Sequence, residues 1–296
     1  MAELEQVYVK QFSANCYTMA QQRKSRLQVH CTKENLKGES GFIDRVHPTH
    51  AQRSTGKYDK SPVIPTNYSR RMLRSFEYVW GDMVDWQDDY KILLDPTGKC
   101  TQAGAYALAR TMDDIIIANA IFGSAWEGKD GTTEVPFPDA QKVSVTAGST
   151  GNTGLNLEKL IQARSLIGRS DIDLEEPGTE CFFVYTQLQL DDLLHTTEIK
   201  SADYNVVKAL YEGTVNKYMG FTFIKMHTDR IPAESNVRKC FAFVNRNLCY
   251  CEPVPVTGHI SERADYNYNW YSHMKMSFGA TRYQDEGVVW CPCAES

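Results

Sequence analysis

A chain of 296 residues with 42% hydrophobic and 23% charged residues can bury one large core or two modest ones, which excludes a wholly disordered polypeptide. No apolar run reaches the ~18 residues of a membrane-spanning helix. The opening MAELEQVYVK has two acids and no apolar block, so no secretory leader is read and a cytosolic product with reduced thiols is expected from the nine cysteines. The net charge of −5 conceals a division: residues 1–75 carry 13 Lys+Arg against 6 Asp+Glu, and residues 76–296 carry 19 against 31. A basic arm on an acidic body suits nucleic acid, or the acidic body of a second copy.

Residues 4–30 read as a helix in one or two pieces, with Leu4, Val7, Tyr8, Phe12, Tyr17 and Leu27 at rough helical spacing. Residues 31–69 are poor in large aliphatics and too long for a connecting loop, which predicts an extended hairpin or disorder. Its base strands are expected at residues 27–31 and 68–72. Such a two-stranded arm needs a partner surface, and so points to assembly. Next come Arg70, Arg71 and Arg74, followed by Asp82, Asp85, Asp88 and Asp89. A helix over residues 81–90 would put Asp82, Asp85 and Asp89 on one face, either as a carboxylate metal site or as a partner for a basic arm in another subunit. The intersubunit pairing is the expectation, because no His or glycine-turn signature accompanies the acids.

Residues 95–122 then form one long predicted helix, the element around which the chain is organised. Asp95 is its expected cap, Pro96 its first residue and Gly123 its stop. Arg110 is spaced to pair with Asp113 and Asp114. Residues 115–121 are apolar nearly all round and should be covered. Beyond the helix, the KVSVTAG stretch alternates like a strand. A helix over residues 156–168, capped by Asn156, leads to a buried strand from Cys181. Short helices are expected at 188–194 and 203–212, and strands at 221–226, 240–244 and 248–251, with residues 245–247 as a turn. Long strands should fill 258–296, broken by a turn at residues 285–287, with Met274, Met276 and Phe278 on one face.

The chain holds no nucleophile elbow, zinc-protease helix, phosphate loop or dinucleotide fingerprint. Cys249/Cys251 and Cys291/Cys293 offer four thiols to zinc, but one intervening residue on a strand merely puts two thiols on one face. His47 and His50 lie in the polar arm, and His195, His227, His259 and His273 are scattered. Cys16 and Cys31 have no base beside them. Tyr58 and Tyr68 interleave with the basic arm, as a nucleic-acid binder would require, yet the body is acidic.

Three stretches carry a resemblance: SPVIPTNYSRRML with the acid-rich YVWGDMVDWQDD, then LLDPTGKCTQAGAYALARTMDDIIIANAIFGSA, and finally FGATRYQDEGVVWCPC. In this order the chain resembles, over nearly its whole length, the major capsid protein of tailed bacteriophages, of the podovirus type, with the HK97-like fold. The resemblance implies an α+β capsid fold with residues 1–27 as an N-arm and 28–94 as the extended β-hairpin E-loop. Residues 95–150 and 252–296 would be the peripheral domain with its spine helix, and 151–251 the axial domain. It implies a structural, non-enzymatic protein of the virion capsid, assembled in the host bacterial cytoplasm as hexamers and pentamers of an icosahedral head that encloses double-stranded DNA without specific binding. Its expected partners are itself, a separate scaffolding protein and a portal protein; no cofactor, metal or membrane is expected. Lys57, Lys60, Arg70, Arg71, Arg74, Asp82, Asp85 and Asp89 are the expected intersubunit contacts. Some relatives crosslink Lys to Asn, but no crosslink is assigned to Lys57 or Lys60. The alternatives are an encapsulin-type compartment of the same fold, a metal-dependent enzyme at Asp82, Asp85 and Asp89, and a nucleic-acid module in residues 23–74.

Overall fold

A β-hairpin is formed in the polar stretch, with its second strand where expected and its first strand elsewhere. In the computed structural model, which describes residues 21–36, 38–53, 56, 58, 60–84, 96–195 and 216–295, β1 is Thr32–Glu34, β2 is Ser40–Val46 and β3 is Tyr68–Arg74. β2 and β3 pair antiparallel from Ser40 opposite Arg74 to Val46 opposite Tyr68. Residues 27–31 are not a base strand: Leu27 is fully buried and Gln28–His30 make a 3-10 turn. The cause is Asp113, whose carboxylate accepts the backbone N–H of Arg26 at 3.1 and 3.2 Å and of Leu27 at 3.1 Å. Those donors are unavailable to a ladder. Residues 1–20 lie outside the described residues.

β4 (Phe76–Val84) is a strand through residues 81–84, where a helix over residues 81–90 would have put the acids on one face; residues 85–90 lie outside the described residues. Its FEYVWGDMV is rich in aromatic and β-branched side chains, which favour the pleated surface over the helix. Asp82 is exposed on it, and Asp85, Asp89 and Asp95 lie outside the described residues.

The long helix agrees with the expected span. α1 (Pro96–Ile115) continues as a π-helical segment, Ile116–Ile121. Leu108, Met112, Ile116 and Ala120 recur every fourth residue and are buried, joined by Ile117 and Ile121. At Gly123 an added Cβ would stand 2.7 Å from the Asn119 carbonyl oxygen and 2.8 Å from that of Ala118, so only glycine fits. Asp113 serves the Arg26–Leu27 backbone, Asp114 meets Arg230 at 2.5 Å, and Arg110 reaches the Gln21 side chain.

The remaining elements are β5 (Ala125–Glu127), β6 (Thr133–Val135), α2 (Leu157–Gly168), β7 (Cys181–Tyr185), α3 (Gln187–His195), β8 (Lys217–Tyr218), β9 (Phe221–Lys225), β10 (Ala233–Glu234), β11 (Val237–Val244), β12 (Leu248–Arg263), β13 (Asn269–Arg282) and β14 (Val288–Ala294). Among the described residues these strands form three sheets. The hairpin sheet has order β2-β3-β5-β6, a second has order β1-β12-β13-β4, and a third has order β10-β11-β7-β9-β8 with β14 on β11. Helices and mixed sheets make the fold α+β. The chain divides into two compact units, one of Met1–Ser25, Glu77–Thr111 and Val254–Ser277, the other of Arg26–Phe76, Met112–Pro253 and Phe278–Ser296.

The KVSVTAG stretch is a turn, not a strand; only Lys142 bridges to Trp290. Side chains claim the backbone that a ladder would use. The Thr153 hydroxyl donates to the carbonyls of Val145 at 3.0 Å and Ala147 at 3.1 Å, and the Asn156 amide donates to Ala147 at 2.7 Å. The same Asn156 caps α2 by accepting the Lys159 N–H at 2.9 Å, as expected. Lys159 is fully buried, its ammonium donating to the carbonyls of Thr153 at 2.7 Å and Pro292 at 2.9 Å. The helix expected at 203–212 lies outside the described residues. β12 runs far beyond the expected residue 251, and Met274, Met276 and Phe278 alternate along β13 and are buried.

Candidate functional site

The root of the β2–β3 hairpin holds a connected network of buried charge. Period-two alternation puts Ile43, Arg45, Arg71 and Leu73 on the inner face and Phe42, Asp44, Arg70 and Met72 on the outer one. Arg71 is 1% exposed. Its Nε donates to Glu127 Oε1 at 2.9 Å, its Nη1 to Asp285 Oδ1 at 3.1 Å and its Nη2 to Asp285 Oδ2 at 2.6 Å. A fourth bond, from Nη1 to the Arg282 carbonyl, is 3.1 Å long. Arg45 donates to Glu127 from the side, and to the Tyr283 carbonyl at 2.8 Å.

Arg282, also fully buried, extends the network to the spine helix. It donates to Asp285, to the Gly123 carbonyl just past the helix, and to Val135 at 3.2 Å, with its guanidinium 5.3 Å above the Phe137 ring. Trp290 completes the helix end, its indole N–H donating to the Ile121 carbonyl at 3.1 Å while its ring stacks on Phe137 at 4.2 Å. A cation and an N–H at the negative end of a helix satisfy carbonyls that have no partner within it. One connected path therefore runs from helix end through Arg282 and Asp285 to Arg71 of the hairpin.

Electrostatics follow from this geometry. Burial pushes the Asp285 carboxyl up, but Arg71 and then Arg282 outweigh it and hold it below the usual carboxylate range. Glu127 behaves alike: burial raises it, and Arg71 with Arg45 lowers it further. Three guanidinium groups are met by two carboxylates, an arrangement that positions the hairpin strands against the turn after β13.

The expected contact residues separate. Arg71 is inside its own subunit, where its charge is met by Glu127 and Asp285. Arg70 and Arg74 are at the surface, pairing with Asp44 at 2.5 Å and Glu39 at 2.8 Å. Lys60 and Asp82 are exposed, and Lys57 lies outside the described residues. Asp285, Arg282, Glu127 and Arg45 were missed from sequence. The signal present was parity: Arg71 shares a strand face with Leu73, opposite that of Arg70 and Arg74.

The two Cys-x-Cys pairs lie on different sheets. Cys249 and Cys251 sit on β12, paired with β1, whereas Cys291 and Cys293 sit on β14, where Cys291 faces Cys240 across the ladder. Among the described residues no group of three or more His, Cys, Asp or Glu is placed to hold a metal. His47 hydrogen-bonds to Ser69 at 3.0 Å, and His227 lies 3.4 Å from Asp229 at the surface. No described helix is long and apolar enough to cross a membrane.

The sequence profile of the phage capsid protein family matches residues 4–295. No curated protein matches the chain in sequence. Among solved structures, the chain is similar to the capsid asymmetric unit of cyanophage Pam1, with TM-score 0.71, 12% identity, and coverage of 100% of this chain and 99% of that one. The capsid of Ralstonia phage GP4 gives TM-score 0.71 at 11% identity, covering 100% and 98%. A chain from Mycobacterium phage Che8 gives 0.65 at 13% identity, covering 96% of both. The likeness extends over the whole fold, and the family it marks is structural rather than catalytic. This chain belongs to the phage capsid protein family: it is a virion protein with the HK97-like fold of tailed-phage major capsid proteins.

Proposed function

We propose that the chain assembles through its β2–β3 hairpin into hexamers and pentamers of an icosahedral head around double-stranded DNA. The carrying observation is the contrast within that hairpin. Its root is locked by buried ion pairs, while the described loop residues 47–53, 56, 58 and 60–63 are all exposed. A loop without core contacts of its own gains binding energy from a neighbour, and many modest contacts add by multivalency.

In this reading residues 1–27 are the N-arm, 28–94 the E-loop region, 95–150 with 252–296 the peripheral domain, and 151–251 the axial domain. Lys57, Lys60, Arg70, Arg74, Asp82, Asp85 and Asp89 contribute salt-sensitive intersubunit contacts, and Arg71 is removed from that set by its burial. A separate scaffolding protein and a portal protein act during assembly in the bacterial cytoplasm. The test is expression of the full chain, alone and with a phage scaffolding protein, followed by sedimentation and electron microscopy. Closed shells with fivefold vertices are expected; a chain that stays monomeric throughout sinks the reading.

A further inference from the structure

Beside the hairpin root lies a groove of about 500 Å³. Met72, Phe76, Trp126 and Ala280 line it, with Arg74 and Glu134 at its rim. Two of its aromatics are open: Phe76 is 44% exposed and Trp126 40%. The Arg74 guanidinium covers one face of Phe76 at 5.2 Å and is held there by Glu39 at 2.8 Å. Glu134 makes no ion pair among the described residues, so the open charge of the groove is negative.

At the other end of the same hairpin are the two most exposed large apolar side chains of the described residues, Tyr58 at 92% and Val63 at 93%. The loop that carries them, residues 47–67, contains Arg53, Lys57 and Lys60 against one acid, Asp59. Apolar side chains on a basic loop complement an apolar groove with an acidic rim. The loop does not fill the groove of its own subunit, because both side chains stand in solvent.

We infer that this groove receives the hairpin tip of a second copy, with Val63 and Tyr58 seated against Phe76 and Trp126. The inference rests on the assembly reading above and adds the acceptor surface to it. The contact is head-to-tail: each copy gives a tip and accepts one, which closes into a ring when the rotation between copies allows. An aromatic seated in such a pocket is a typical interface anchor.

The experiment places a photoreactive phenylalanine derivative at Val63 in the full chain, with heavy- and light-isotope subunits mixed before assembly. Irradiated shells should yield mixed-isotope crosslinks to peptides containing Phe76 or Trp126. Assembly titrations provide the second arm. Trp126→Ala and Val63→Asp should each raise the concentration needed for shells about tenfold, the pair together little more than either, with Trp126→Phe restoring most of the loss. Crosslinks between copies that map elsewhere, or additive effects of the two changes, overturn the groove and leave assembly standing. A wild-type chain that forms no shells overturns both.

Discussion

Arg71 and Asp285 form a bidentate ion pair, 2.6 and 3.1 Å long, that ties strand β3 to the turn after β13 across 214 residues of sequence. Asp285 also accepts from Arg282, so one carboxylate holds two buried guanidinium groups. Removing it takes the paired carboxylate from Arg282 and leaves Arg71 with Glu127 alone. Asp285→Ala should destabilise the subunit by about 3–5 kcal/mol, the usual cost of breaking a buried pair from one side. Urea denaturation of the unassembled subunit measures this; a loss below about 1 kcal/mol would contradict the network.

The lowered pKa of Asp285 sets the direction of a pH effect. A carboxyl held below its unfolded value of about 3.9 contributes fully above that pH and loses its contribution as pH falls toward the folded value. The stability gap between wild type and Asp285→Asn should therefore be flat above about pH 5 and narrow below about pH 4. Denaturation curves across that window check it; a gap that widens in acid contradicts the assignment.

Shortening the hairpin loop should separate folding from assembly. Replacing residues 50–64 by a short Gly-Ser turn removes the exposed Tyr58 and Val63 and spares Arg45 and His47. Thermal stability of the subunit should change by no more than about 0.5 kcal/mol, as for surface changes generally, while shells visible by electron microscopy disappear. Normal shells from the shortened chain would exclude the loop from assembly.

Burial pushes the thiol of Cys249 up to about 12 and that of Cys251 up to about 11. Thiolate is the reactive form, so both should resist alkylation at neutral pH and react promptly once the chain is unfolded. Mass spectrometry of iodoacetamide-treated native protein measures this. Rapid labelling of either residue in the folded chain would contradict their placement on the covered face of β12.

Much of the architecture was legible because it is written in periodicity and caps. The long helix, the Asn156 cap of α2 and the alternating β13 all follow from local pattern, and the ordered stretches around them carry the family resemblance. Local pattern failed where a distant group took the backbone. Asp113 removed the donors of residues 26–27 from any strand, and Thr153 with Asn156 turned the KVSVTAG stretch into a loop. Acid spacing left a helix open at residues 81–90, but at residues 81–84 charge pattern is a weak signal beside the aromatic and β-branched content of β4. The root network was hidden for a related reason: Arg45, Arg71, Glu127, Arg282 and Asp285 meet only after four strands and a turn have been assembled. Arg71 still announced itself by sharing parity with Leu73, an arginine on the apolar side of a strand.

The wide-bore winding at residues 116–121 has a consequence for the length of the spine. Such a coil accommodates one more residue than ordinary α pitch over the same turn. Asp113 fastens the rod on one side of it, and Gly123 with its arginine fastens it on the other. Between those two moorings, distance is governed by how the backbone is wound as well as by how many amino acids are strung there. A relative lacking one residue here can span the same gap by winding tighter, with both fixed points left where they are.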